Sequence, residues 1–408
     1  MIPDAPRVAF FADCFHEVNG VALTCRRLED FARGRGLPFF AVHPGPSSQI
    51  AGGGSQTTLE YRRSPLAFPI DVDMRFDPLF LRHRAWVLQA LAEFRPDIVH
   101  ITGPGDCGIL GAILAHRLRV PLVASWHTNL HLFAAQRLER TLGFLPARSR
   151  AGAAHLAERG TLLATLRFYR VARMLLAPNP ELVALLERAT NKPVLPMRRG
   201  VDTETFSPAH RERTGGEFVI GYVGRLQPEK SVRRLVPLEQ SLLQLGERDF
   251  RFLIVGHGGE RPWLEEHMQR AEFTGALQGE ALARAYANMD AFVFPSVADT
   301  FGNVVQEALA SGVPTLVSSE GGPKFLVRHD VNGFIARDEA GFVAGVRELM
   351  HHPGRRATMG RSAREAALEA SWDKVFEDVY SAYGALLRRS RAESQSGMGN
   401  PAPVGVVS

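Results

Sequence analysis

Two carboxylates, Asp299 and Glu307, stand eight positions apart in ADTFGNVVQEALASGVP (298–314), with Phe301, Gly302 and Asn303 between them. The preceding run AFVFPS (291–296) is apolar and rich in strand formers, so it reads as a strand that delivers Asp299 to a loop. Gly302 lets the backbone turn tightly into a helix from about Asn303 to Ser311, with Gly312 as its stop and Pro314 beyond. The start of such a helix, at Asn303 and Val304, carries free amide donors and partial positive charge, which suits hydroxyls and phosphates. Glu307, about one turn deeper, can reach a second group of the same ligand. Two hydroxyl-accepting acids around an anion-friendly helix end describe a nucleotide sugar. The plainer alternative is that Asp299 only caps the helix and Glu307 is a solvated helical residue.

Other strand ends add to this picture. GRLQPEK (224–230) follows FVIGYVG and places Arg225, which can fork onto phosphate oxygens, and Lys230, a compact charge, at one of them. The chain has only four lysines, at 192, 230, 324 and 374, against 44 arginines, and both Lys230 and Lys324 fall in such loops. FFADCFHEVNGV brings Asn19 and Gly20 to a strand end, where Gly20 would let backbone amides approach a diphosphate, although Asn-Gly is also an ordinary turn. SWHTN (125–129) puts His127 at another. GPGDCG (103–108) imitates the three-glycine dinucleotide pattern, but its first spacer is Pro104 and the next strand ends without the acid that would hold a ribose; GHGGER (256–261) lacks its third glycine. A hydride-transfer enzyme is thereby disfavoured.

The elements that must position these residues are short apolar runs alternating with helical patterns: RVAFFAD (7–13), DIVHIT (97–102), PLVASWH (121–127), RMLLAPN (173–179), FVIGYVG (218–224), FRFLIVG (250–256), AFVFPS (291–296) and PTLVSS (314–319). Such alternation marks βαβ units with buried parallel strands, whose ligands sit beyond the strands' carboxyl ends. The series breaks at the polar stretch 199–216 and restarts. At 408 residues the chain suits two cores, so we expect an α/β protein of two doubly wound, Rossmann-like domains facing a cleft, 1–210 and 211–370. A last helix over 371–389 carries an apolar stripe through Trp372, Val375, Phe376, Val379, Tyr380 and Tyr383, and 390–408 has the composition of a disordered tail. No run is long and apolar enough to span a membrane, the N-terminus has no secretory pattern, and Cys14, Cys25 and Cys107 lack metal-ligand spacing, which together point to the cytoplasm. The arginines of 131–176, including Arg137, Arg148, Arg150 and Arg159, outnumber its acids, so this region reads either as surface helices or as a peripheral contact with an anionic inner membrane face. Arginines otherwise scatter through both halves without the basic and aromatic interleaving of a nucleic-acid-binding face.

From NGV (19–21) to SWD (371–373) the chain resembles the retaining glycosyltransferases of family 4, with the two-domain GT-B fold. The resemblance is carried by HTN (127–129), RGVDTETFSP (199–208), GRLQPEK, FTGALQGEALARAYANMDAFVFPS (273–296) and DTFGNVVQEALASGVP. It implies that Asp299 contacts the donor sugar, Glu307 the ribose hydroxyls, and the amides near Gly302, Asn303 and Val304 the sugar and phosphates. Arg225 and Lys230 would neutralise the diphosphate, Gly20 would line it from the other domain, and His127 would contact the sugar near the reacting centre. It implies further that the last helix crosses back to the first domain. The implied donor is GDP-mannose or a UDP-hexose, the acceptor a lipid or glycan hydroxyl, and no metal or other cofactor is called for. A nucleotide-sugar epimerase or hydrolase of the same fold is the alternative, and a basic nucleic-acid-binding protein a remote one. The sequence departs from the family in two places: His16 and Glu17 replace a frequent proline ahead of NGV, and Phe325 follows GGPK where an acid is common.

Overall fold

The computed structural model describes residues 5–17, 19–71, 74–144 and 146–397. The expected tail is covered only as far as residue 397.

Ten strands precede residue 200: β1 Val8–Phe11, β2 Phe39–Gly45, β3 Gln49–Gly53, β4 Gln56–Arg62, β5 Phe68–Asp71, β6 Met74–Phe76, β7 Ile98–Ile101, β8 Leu122–Ser125, β9 Met174–Ala177 and β10 Val194–Pro196. Eight of them form one sheet in the order β10-β9-β8-β7-β1-β2-β4-β3, parallel except for β3. Period-two alternation feeds both faces. Ala9, Phe11, Val99, Ile101 and Ala124 enter one core, while Val8, Phe10, Ile98 and Val123 enter the other. Neither face is left to solvent, as the continuous apolar runs require. The antiparallel β3–β4 pair and the β5–β6 hairpin were not expected, because QIAGG is exposed and glycine-rich and gives no hydrophobic period.

The second sheet holds β11 Phe218–Val223, β12 Phe250–Val255, β13 Ala271–Gly275, β14 Ala291–Phe294, β15 Thr315–Ser318 and β16 Gly333–Ala336, all parallel, in the order β13-β12-β11-β14-β15-β16. These two parallel-sheet α/β units constitute the GT-B architecture.

The last helix, Trp372–Gly397, continues past residue 389, where the sequence had it end. Its stripe packs on the first unit: the Phe376 ring lies 5.5 Å from that of Phe31, and the Tyr383 hydroxyl lies 2.6 Å from His100 Nδ1. Residues 200–201 and 370–372 run side by side. Val201 N–H donates to Ala370 O at 3.0 Å, and Gly200 lies so close to Trp372 that a Cβ there would come within 2.4 Å of its backbone nitrogen.

Tyr383→Phe should leave the buried His100 nitrogen without its partner and cost about 1–3 kcal/mol. The check is a lower urea midpoint at unchanged denaturant dependence.

Candidate active site

The loop after β14 and the helix Asn303–Ala310 place Asp299 and Glu307 where strand-end chemistry was expected. Gly302 starts the helix with φ +95, a left-handed conformation that glycine adopts without strain. Asp299 does not cap this helix. Its carboxylate accepts from Lys230 Nζ at 2.6 Å and from Ser296 Oγ at 2.5 Å. Burial alone would raise its pKa, but Lys230, Ser296 and Arg225 together hold the carboxyl below its ordinary value, so it remains ionised.

Lys230 closes the short helical turn Pro228–Lys230 after β11. Arg225 in the same loop pairs with Glu229 at 3.5 Å. Lys324 does not join them: it bonds Glu181 of the helix Pro180–Thr190 at 2.6 Å and so links the two units.

Glu307 is half-buried and accepts from Tyr286 Oη at 2.9 Å. Burial pushes its carboxyl up to about 7, opposed by the Tyr286 hydrogen bond. The reading of Glu307 as a solvated residue is thereby set aside. Tyr286 went unread in the sequence, although it lies within FTGALQGEALARAYANMDAFVFPS.

Gly20 opens the helix Gly20–Gly34, whose Asn19 side chain accepts from the amides of Val21 and Ala22. A Cβ on Gly20 would lie 2.9 Å from Asn303 Nδ2, a buried donor with no hydrogen-bond partner. Two helix starts therefore meet across the cleft, at Gly20 and at Asn303. Both ends concentrate positive potential on one place. The cleft edge is stitched by Thr300 Oγ1 to His127 O at 2.8 Å, Asn179 Nδ2 to Thr300 O at 2.7 Å and Asn129 Nδ2 to Ala298 O at 3.2 Å.

His127 lies at the cleft edge, with both ring nitrogens bonded within the protein. Nδ1 accepts from Arg199, which has only donors, so the ring proton sits on Nε2 and is given to Ser125 Oγ at 2.6 Å. His100 Nε2 lies 3.0 Å from the same oxygen, and Tyr383 Oη 2.6 Å from His100 Nδ1. If Tyr383 donates to His100, His100 donates to Ser125 and Ser125 donates to Ile101 O, every proton in this chain has an acceptor. Burial, with Arg199 and His100 beside it, holds His127 well below the ordinary histidine value, so the ring is neutral.

Arg199 is a second residue that sequence reasoning missed. Burial pushes its guanidinium down to about 10, still charged at neutral pH, and its backbone carbonyl accepts from Gln306 Nε2 at 3.1 Å. The signal was an arginine directly before the glycine of RGVDTETFSP.

The dinucleotide reading fails on geometry. The amides of Gly105 and Gly108 already bind the Asp13 carboxylate, at 3.2 and 3.0 Å, so an acid stands where a pyrophosphate would have to lie.

Residues 18–205 match the family described as Glycosyltransferase Family 4, and residues 217–352 match Glycosyl transferases group 1. A GDP-mannose-dependent alpha-mannosyltransferase of Mycolicibacterium smegmatis is 32% identical, over 94% of this chain and 98% of its own. One of Corynebacterium glutamicum with the same description is 29% identical, over 94% and 90%. Among solved structures, a sucrose-phosphate synthase of Thermosynechococcus elongatus superposes with a TM-score of 0.71 at 18% identity, covering 94% of this chain and 99% of its own. An Anabaena protein in complex with UDP and glucose superposes at 0.63 and 17% identity, covering 93% and 99%. At these identities the structural likeness speaks for the fold alone.

Between about pH 4.5 and 7 the folded protein keeps a proton on Glu307 that the unfolded chain has released, so this group's contribution to stability falls as pH rises. Glu307→Gln removes that dependence. The unfolding free energy of wild type minus variant should fall by about 1–2 kcal/mol from pH 4.5 to 7.5, as read from paired urea titrations.

Proposed function

The chain belongs to glycosyltransferase family 4, and on that premise we propose that it transfers mannose from GDP-mannose to a hydroxyl of a lipid or glycan acceptor, retaining the anomeric configuration and needing no metal. The observation that carries this reading is the Lys230–Asp299 pair, 2.6 Å apart, at the end of β11 and beside the open helix start at Asn303. A leaving nucleoside diphosphate needs concentrated positive charge. Lys230, Arg225 and the amides at Gly302, Asn303 and Val304 supply it from one side, and the helix start at Gly20 from the other.

In this reading Asp299 orients the sugar, and Glu307 accepts hydrogen bonds from the ribose hydroxyls in its ionised form. The bond from the anomeric carbon to the phosphate oxygen breaks, and its electron pair leaves with GDP. The acceptor oxygen attacks on that same face and its proton passes to the departing phosphate oxygen. His127, fixed by Arg199 and Ser125, positions the first unit's edge of the site through its backbone carbonyl. Mannose on GDP is favoured over a UDP-hexose because the relatives aligned over nearly the whole chain are described as GDP-mannose-dependent.

The acceptor's setting is suggested by the helix Ala147–Tyr169. Leu156 and Leu163 are exposed, seven positions apart, with the exposed Arg159 between them and Arg167 following, so leucine and arginine share one stripe. Phe144, 79% exposed, lies just before the helix. Such a stripe suits an anionic lipid surface, where this enzyme would meet a lipid-linked acceptor. No helix among the described residues is long and apolar enough to cross a membrane.

With GDP-mannose and an acceptor extract, Lys230→Ala should lower kcat/KM by about a hundredfold or more, in the range of lost oxyanion-type donors, while circular dichroism stays unchanged. Near-wild-type turnover would remove Lys230 from the site. GDP-mannose consumed at full rate without any acceptor would favour the hydrolase or epimerase reading instead. For the surface contact, the double variant Leu156→Glu, Leu163→Glu should no longer sediment with phosphatidylglycerol vesicles yet should still bind GDP. Sedimentation equal to wild type would discard that contact.

A further inference from the structure

A second cluster of chemistry-bearing side chains lies on the first unit, outside the residues assigned to transfer. In the parallel register of β2 and β4, His43 stands opposite Glu60. His16 reaches them from the loop after β1, and one ligating atom from each of the three residues lies within 4.8 Å of the others. His43 is 2% exposed. Its Nδ1 sits 3.2 Å from Pro44 O, which can only accept, so Nδ1 carries the proton and Nε2 presents a lone pair. That Nε2 is buried and has no hydrogen-bond partner.

The surroundings orient the rest. Ser47 donates to Glu60 Oε1 from its amide at 2.9 Å and from its hydroxyl at 2.5 Å, which leaves Oε2 facing His16 Nε2 at 2.9 Å. Phe15 stacks on the His43 ring at 3.9 Å and covers one side. Gly45 makes room for the carboxylate, since a Cβ there would fall 2.2 Å from Glu60 Cδ.

We propose that His16 Nε2, His43 Nε2 and Glu60 Oε2 bind one divalent transition-metal ion of the zinc class. Two imidazoles and a carboxylate are the donor set that zinc accepts, with a fourth position left for water. The backbone carbonyl on His43 Nδ1–H and the serine on Glu60 Oε1 are the outer partners that fix such ligands. A tetrahedral shell with bonds of about 2.0 Å separates its ligands by about 3.3 Å, so the cluster closes by a movement of the exposed His16 side chain. On binding, the proton that His16 Nε2 shares with Glu60 moves to His16 Nδ1. The ion would fasten the loop that leads into Gly20 to two strands of the sheet, and so hold one wall of the cleft. It carries no step of the transfer.

The test uses the full chain, stripped with a chelator, desalted, reloaded with zinc or cobalt(II), and passed over a second desalting column. One zinc per chain should be retained, the cobalt form should show the intense visible bands of four-coordinate cobalt, and zinc should raise the thermal midpoint. His16→Ala lies on an exposed loop and keeps the fold, as circular dichroism would verify. It and Glu60→Gln should each weaken zinc binding by about tenfold or more. Loss of zinc from wild type on desalting, or His16→Ala and Glu60→Gln that both bind as wild type does, would overturn the proposal and leave a His16–Glu60 hydrogen bond only.

Discussion

The arrangement of the cleft depends on where a single lysine charge is held. Lys230 and Asp299 come from loops 69 positions apart, and both side chains are less than one-fifth exposed. A charge so placed is costly unless it is paired, and Lys230 keeps Asp299 ionised. Asp299 is therefore unable to cap the helix behind it, and Gly302 starts that helix instead, with its first amides open. The pair thus fixes a cation, an acid and a helix start within one loop system. It also leaves a charge that a diphosphate can compete for.

The rest of the structure holds this loop system against the first unit. Thr300, Asn179 and Asn129 bond across the cleft directly to and from the segment 298–300. Behind His127 runs a buried line of groups, Arg199, Ser125, His100 and Tyr383, which ends on the last helix. The last helix and the cleft edge are therefore parts of one hydrogen-bonded system.

Much of this is legible in the order of the amino acids, for a physical reason. Buried parallel strands must be apolar on both faces, so β1, β7, β8, β11, β12 and β14 appear as mainly apolar runs, interrupted by His100 in β7 and Arg251 in β12, with turn residues behind them. The spacing of Asp299 and Glu307 around Gly302 is local and can be read directly. What escapes such reading is non-local or lacks a period. The β3–β4 pair is exposed and glycine-rich, and the bond between His100 and Tyr383 joins residues 283 positions apart. His127 falls at a strand end as its sequence context indicates, but its ring direction depends on Arg199, which no local pattern connects to it. The triad of His16, His43 and Glu60 needs the strand register to be seen at all, although the unusual His16 ahead of NGV marks one of its members.

We propose that the Lys230–Asp299 pair and the helix start at Asn303 form the diphosphate site. A crystal structure of the protein with GDP tests it most directly. Diphosphate oxygens should lie within hydrogen-bond distance of Lys230 Nζ, of the Arg225 guanidinium and of at least one amide among Gly302, Asn303 and Val304, with Glu307 on the ribose. A diphosphate bound elsewhere, or one bound in the cleft while Lys230 stays solely on Asp299, would contradict it.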